Sequence, residues 1–302
     1  MRTEPIPGPA GTPVPVARAR HWGRLLAAAA ALAIVGWLLF LLVVNPRLDW
    51  GAVATYLFDD RILSGVWVTV QLSVLATVLG LALGVLFAVM RLAHNPVLSK
   101  LALLYIWFFR GTPVLVQLIF WYNLAFLFPE LVIKIPFTSI GLVWDTNQVM
   151  TGFTAAMMGL GLNLAAYFAE TVRAGIQAVD HGQTEAAYAL GMTPAKRMRV
   201  IVLPQALRII IPPTGNEFIS MLKTTSLVYA VAGHDLMTNA SQIYKANNLI
   251  MELLIVASLW YLLLTTVATF LQGRLERRFG SEAVRLVRRG GLAARVLPKV
   301  AA

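Results

Sequence analysis

Long stretches without charge constrain this chain more than any other feature of its sequence. Residues 25–44 hold no charged side chain over 20 residues, and residues 62–90 hold none over 29. Twenty helical residues rise about 30 Å, the thickness of a bilayer's hydrocarbon core. Four further apolar runs follow, at 101–128, 152–172, 216–232 and 249–271. The first of these is broken at Arg110-Gly111-Thr112-Pro113, the third holds Lys223, and the last holds Glu252 near its start. No alternating strand pattern or short repeat competes with them. The expectation is an all-α membrane protein with six transmembrane helices. Composition agrees: 58% of residues are hydrophobic and 13% charged, and the mean hydropathy is +0.72. A soluble domain carries about a quarter of its residues as charges. An ordinary soluble enzyme, a disordered chain and a coiled coil are excluded on that ground.

Residues 25–44 are too long for the apolar core of a signal peptide, and Asn45-Pro46-Arg47 follows instead of a small-residue cleavage site. They are expected to remain as a first span. Residues 1–24, with Pro5, Pro7, Pro9, Pro13 and Pro15, read as a flexible tail. Gly80 and Gly84 stand four apart, a spacing that permits close helix approach.

Six crossings put both termini on one side. With that side cytoplasmic, its segments hold 19 of the 25 Lys and Arg residues, against 4 in the outer segments. Positive residues favour the cytoplasmic face, so the net charge of +11 is assigned to loops and not to nucleic acid. There is no cysteine, and His21, His94, His181 and His234 are scattered, so no metal site and no catalytic constellation is expected.

The loop between the fourth and fifth spans, residues 176–215, is long and patterned. Gln183 to Leu190 are good helix formers that stop at Gly191, a C-cap residue. Thr193-Pro194 reads as an N-cap with proline in the first turn. A second helix is expected to about Val202. Leu203-Pro204 ends it or begins a third, which Pro212-Pro213 is expected to stop. Within this elbow, Glu185-Ala186-Ala187, Gly191, Ile201 and Leu203-Pro204 follow the pattern EAA-x3-G-x9-I-x-LP. The pattern resembles the coupling loop of ABC importer permeases, which docks on an ATPase. Small Ala186 and Ala187 suit close docking, Gly191 permits a left-handed turn, and Glu185 offers a charge to a partner's donors. The alternative is a self-contained amphipathic hairpin on the membrane surface.

The likeness extends further. FRGTPVLVQL (109–118), LNLAAYFAETVRAGI (162–176), GQTEAAYALGM (182–192), LPQALRIIIPP (203–213) and KTTSLVYA (223–230) are similar to the polar amino acid permeases. This branch imports histidine, glutamine, glutamate, arginine and opines. The resemblance covers roughly 60–275 and implies a type I ABC importer permease fold with a cytoplasmic helical coupling loop. Many members have five spans and begin outside, so 25–44 is an added first helix. Residues 276–302 form a basic tail, with Arg285, Arg288, Arg289, Arg295 and Lys299, suited to anionic lipid. No GxxxxGK[ST] loop occurs, so no cofactor is expected on this chain and ATP belongs to a separate ATPase subunit. The resemblance also implies an extracytoplasmic amino acid-binding protein, a second permease, identical or homologous, and a bacterial inner-membrane location.

Polar residues inside spans mark candidate paths. Asn163, Tyr167 and Glu170 share one face of the fourth span, and Asn216, Ser220 and Lys223 repeat that spacing on the fifth, followed by Thr225 and Ser226. Arg110 lies at the break in the third. A free amino acid needs an acceptor such as Glu170 and donors such as Lys223 or Arg110. The structural alternatives are a Glu170–Arg173 pair, an Arg110 that braces bent backbone, and a Lys223 paired with Glu170 or Glu252. An ion-gradient-driven amino acid transporter is the other functional reading; it leaves the loop pattern unexplained.

Overall fold

The computed structural model of the chain describes residues 22–134 and 141–293. Most of the expected N-terminal tail, residues 1–21, and the end of the basic tail, 294–302, lie outside the described residues. The chain divides at Asp49 into two compact units. The first holds helix α1 (Trp22–Val43), apolar on every side, the character of a lipid-facing span.

The second unit begins with α2 (Trp50–Leu57) and α3 (Asp60–Leu92). Asp59 starts α3: its carboxylate accepts from the Arg61 amide at 2.9 Å and from the Arg61 guanidinium at 3.1 Å. Then come α4 (Pro96–Gly111), capped by the Asn95 side chain, and α5 (Val114–Tyr122), which leaves α4 at a bend of 100°. A short 3-10 turn leads to strands β1 (Glu130–Lys134) and β2 (Gly141–Asp145), an antiparallel hairpin with Glu130 opposite Asp145. The sequence pattern did not anticipate this hairpin. Next are α6 (Thr146–Val149), α7 (Gly152–Gln177), α8 (His181–Ala189) and α9 (Pro194–Arg197). A π-helical turn, Met198–Val202, joins α9 to α10 (Leu203–Thr224). A 3-10 stretch, Thr225–Val231, then α11 (Leu236–Asn247) and α12 (Ile250–Ala293) complete the unit.

Among the described residues, four helices are long and apolar enough to cross a membrane: Leu26–Val43 of α1, then α3, α7 and Ile250–Arg277 of α12. The bent α4–α5 pair makes a fifth when its two helices are counted as one broken span. The remaining expected run, 216–232, is divided between the end of α10 and the 3-10 stretch and is not among them.

One expectation is corrected. Pro212-Pro213 does not stop a helix: α10 runs through both prolines to Thr224. Prolines leave the carbonyls four residues earlier without partners, yet a helix survives when its neighbours hold it. Here Ala206 and Ile210 are buried beside Ala88 of α3 and Val172 of α7, and Gln272 Nε2 of α12 donates to the Pro212 carbonyl at 3.2 Å. The π turn ends two residues before Pro204, in the stretch that the proline ring would crowd in a regular α-helix.

The core is built on α3 and α7, which run parallel in contact. Gly80 faces Leu164 and Gly84 faces Phe168 one turn later. A Cβ at Gly84 would lie 2.5 Å from the Phe168 Cβ, so hydrogen is the only side chain that fits. Leu72, Leu160 and Phe168 fill this seam, with Leu118 of α5 and Met221 of α10 against it. Gly84→Val therefore overpacks the seam and should lower stability by about 1–3 kcal/mol. Gly273→Val on α12, where no atom stands within 4 Å, should cost much less. Thermal melts of the two detergent-purified variants check this.

Candidate functional site: a charged cavity and a protruding elbow

Two features stand at opposite stretches of α10. The first is the elbow. α8 ends in a Schellman arrangement, with the Met192 amide donating to the Ala187 carbonyl and the Gly191 amide to Tyr188. Gly191 takes φ +72°, the left-handed region that favours glycine. Thr193 then caps α9, its hydroxyl accepting from the Lys196 amide. Ala187 is buried, and Val202 joins Ala206 and Ile210 in the elbow's anchor on α3 and α7. Glu185 and Ala186 face outward, and Tyr188 and Leu190 are 75% and 82% exposed. Ile201 is half-buried in the π turn, and Leu203 and Pro204 stand exposed where α10 begins. So the elbow is fixed at its base and presents an acidic, aromatic and aliphatic tip.

The second feature is a cavity of about 580 Å³ among α4, α5, α7 and α10. Arg110, Asn163, Tyr167 and Ser220 line it, as do Glu217 and Thr224. The Arg110 guanidinium sits over the Tyr167 ring at 5.2 Å from its centre, a cation–π arrangement. The cavity thus holds one cation and one carboxylate.

Five of the sequence-derived candidates lie elsewhere. Glu170 pairs with Arg173 through bonds of 2.7 and 3.0 Å. Asn216 accepts from Gln272 at 3.0 Å. Lys223 is exposed on the last turn of α10. Thr225 is buried and donates to the Leu222 carbonyl, and Ser226 is half-buried. The polar residues of α10 at the cavity are Glu217, Ser220 and Thr224, which share Ser220 with the expected face and replace Asn216 and Lys223 by their next neighbours. Glu217 was legible as an acidic residue inside an apolar run, yet sequence reasoning passed over it. Asn163 lines the cavity but spends its amide nitrogen on the Phe109 carbonyl at 2.9 Å.

A helical membrane body, a polar cavity and an exposed elbow define a transport subunit that works with other chains. Residues 80–281 match the family of binding-protein-dependent transport system inner membrane components, and the chain belongs to it. Membership implies a binding protein and an ATPase as partners, and an inner-membrane, multi-pass location. The arginine transport system permease protein ArgU of Corynebacterium glutamicum is 44% identical over 285 residues, 93% of this chain and 88% of that one. The glutamate/aspartate import permease protein GltK of Escherichia coli is 32% identical, over 76% of this chain and 97% of that one. Among solved structures, an amino acid ABC transporter crystallised with histidines is 36% identical with a TM-score of 0.66, covering 76% of this chain and 99% of its own. An inward-facing methionine transporter, 20% identical with a TM-score of 0.59, shares the fold.

The Glu170–Arg173 pair is between a quarter and a third exposed on each side chain. Glu170→Gln should cost less than about 1 kcal/mol, the range of partly solvated pairs. A melting shift of only a few degrees, with the chain still extracted as a monodisperse species, is the expected result.

Proposed function

We propose that this chain is the permease subunit of an ATP-driven importer of polar amino acids, working by alternating access. The observation that carries this reading is the path of one helix: α10 starts at the exposed elbow and ends in the cavity wall at Glu217, Ser220 and Thr224. An ATPase that closes on the elbow would therefore move the cavity wall directly. Glu185, Ala186, Ala187 and Gly191 form the docking tip with Tyr188 and Leu190, and Ile201, Leu203 and Pro204 carry its displacement into α10. The binding protein docks at the opposite, hairpin end. Docking must favour one state over the other, since a partner that binds both equally shifts nothing.

The cavity's charges suit a zwitterion. Arg110 is the donor for a carboxylate and Glu217 the acceptor for an ammonium, with Asn163, Tyr167, Ser220 and Thr224 completing the lining. Glu170, Asn216, Lys223, Thr225 and Ser226 lie outside this lining and join the path in another state of the cycle. The names borne by ArgU and GltK point to amino acids as the cargo. Two permeases, identical or homologous, form the complete path. We count α10 with its 3-10 continuation as the sixth crossing, which places both termini in the cytoplasm. Residues 25–44 then form an added helix before a core at 60–275, and 276–302 lie near anionic lipid.

Affinity capture from mild detergent tests the docking role. Wild type should bring down a P-loop ATPase. Gly191→Pro should not, because proline cannot adopt a positive φ, and Glu185→Lys should weaken capture by reversing the tip's charge. Capture that survives both changes would rule out the elbow as the docking site. Uptake by the reconstituted complex tests the cavity. Glu217→Gln should slow amino acid uptake about tenfold or more, since a charge-assisted hydrogen bond is lost, while the ATPase still co-purifies. Glu170→Gln should have the smaller effect of the two.

A further inference from the structure

At the α4–α5 bend a proline has removed a hydrogen-bond donor. In a continuous helix the Phe109 carbonyl would accept from the amide of residue 113, but Pro113 has none. Two side-chain amides take its place: Asn163 Nδ2 of α7 at 2.9 Å and Gln117 Nε2 of α5 at 3.1 Å. The same Gln117 nitrogen lies 3.1 Å from the Thr112 carbonyl and 2.7 Å from the Thr112 hydroxyl. That hydroxyl in turn donates to the Phe108 carbonyl at 2.9 Å. Oxygens of residues 108, 109 and 112 are thereby held on both sides of Arg110.

Gln117 is 5% exposed, and its own Oε1 is buried without a partner among the described residues. Turning the amide over would set that oxygen against the Phe109 and Thr112 carbonyls, neither of which can donate, so these two acceptors fix the orientation. The bend is satisfied at the expense of the side chain that satisfies it. Buried polar atoms are rarely left unpaired, and an exception calls for a reason. The reason lies one residue from Phe109, where Arg110 turns toward Tyr167 in the cavity.

We infer that Gln117 is a positioning residue: by replacing the donor that Pro113 removes, it fixes the backbone from Phe108 to Thr112 and aims Arg110 into the charged cavity. This rests on the reading of that cavity as the solute path. A leucine of similar size would leave the Thr112 carbonyl unserved and Phe109 with Asn163 alone. A glutamate of the same shape would place acceptors against acceptors.

The chain contains no cysteine, so single cysteines report without background. Arg110→Cys and Ser220→Cys would each be made in the full chain, in native membrane vesicles. Each is labelled with a charged methanethiosulfonate, with Gln117 intact and with Gln117→Leu or Gln117→Glu. Loss of a buried donor should slow labelling at 110 about tenfold and leave position 220 within about twofold. Equal rates at 110 with and without Gln117 would overturn the assignment. So would an equal slowing at 110 and 220, which would mark general damage to the fold. If neither position labels with Gln117 intact, the cavity is not water-filled, and the reading of it as the solute path falls together with this one.

Discussion

The close parallel contact of α3 with α7 is the constraint from which the rest of the molecule is arranged. It exists because Gly80 and Gly84 lack side chains where Leu164 and Phe168 arrive. Lipid offers no hydrophobic drive between helices, so dispersion at short range must supply the attachment. Once α7 lies against α3, its next face is set. Asn163 and Tyr167 turn to the cavity, while Val172 and Gly175 receive α10 near the elbow. The seam therefore fixes the cavity and the elbow's base from one helix.

Prolines mark the irregular stretches of the backbone, and at Pro113 and Pro212-Pro213 they act through missing amide donors. Pro113 produces the 100° bend and an orphaned carbonyl that Gln117 and Asn163 serve. Pro204 follows a π turn at the elbow. Pro212 and Pro213 lie inside α10, where Gln272 Nε2 meets both the Pro212 carbonyl and the Asn216 side chain. At Pro113 and at Pro212 the irregular backbone is met by protein side chains, as a membrane interior requires.

Much of this was legible in the sequence, and the failures have physical causes. The apolar runs located α1, α3, α7 and α12 because lipid demands uninterrupted apolar length. The break at Arg110 was readable from Gly111 and Pro113. The elbow's turn was readable from Gly191, since local backbone preference decides it. The fate of Pro212-Pro213 was not readable, because a neighbouring helix overrides local preference. On α10 the cavity lining keeps the expected Ser220 but takes Glu217 and Thr224 in place of Asn216 and Lys223, because which face meets the cavity depends on where α7 packs. The β1–β2 hairpin carries apolar residues on both faces and so lacks the alternation that announces a strand.

The double proline in α10 separates a lower half, held by Ala206 and Ile210, from an upper half that carries Glu217 and Ser220. Two adjacent rungs of the hydrogen-bond ladder are absent there, so the rod is soft to bending and still stiff to stretching. If the elbow is the docking site proposed above, a push there would reach the cavity as a change of angle, not of length. On the proposed alternating-access reading the upper half would act as a rudder, a small turn at the joint carrying Glu217 across the solute's course.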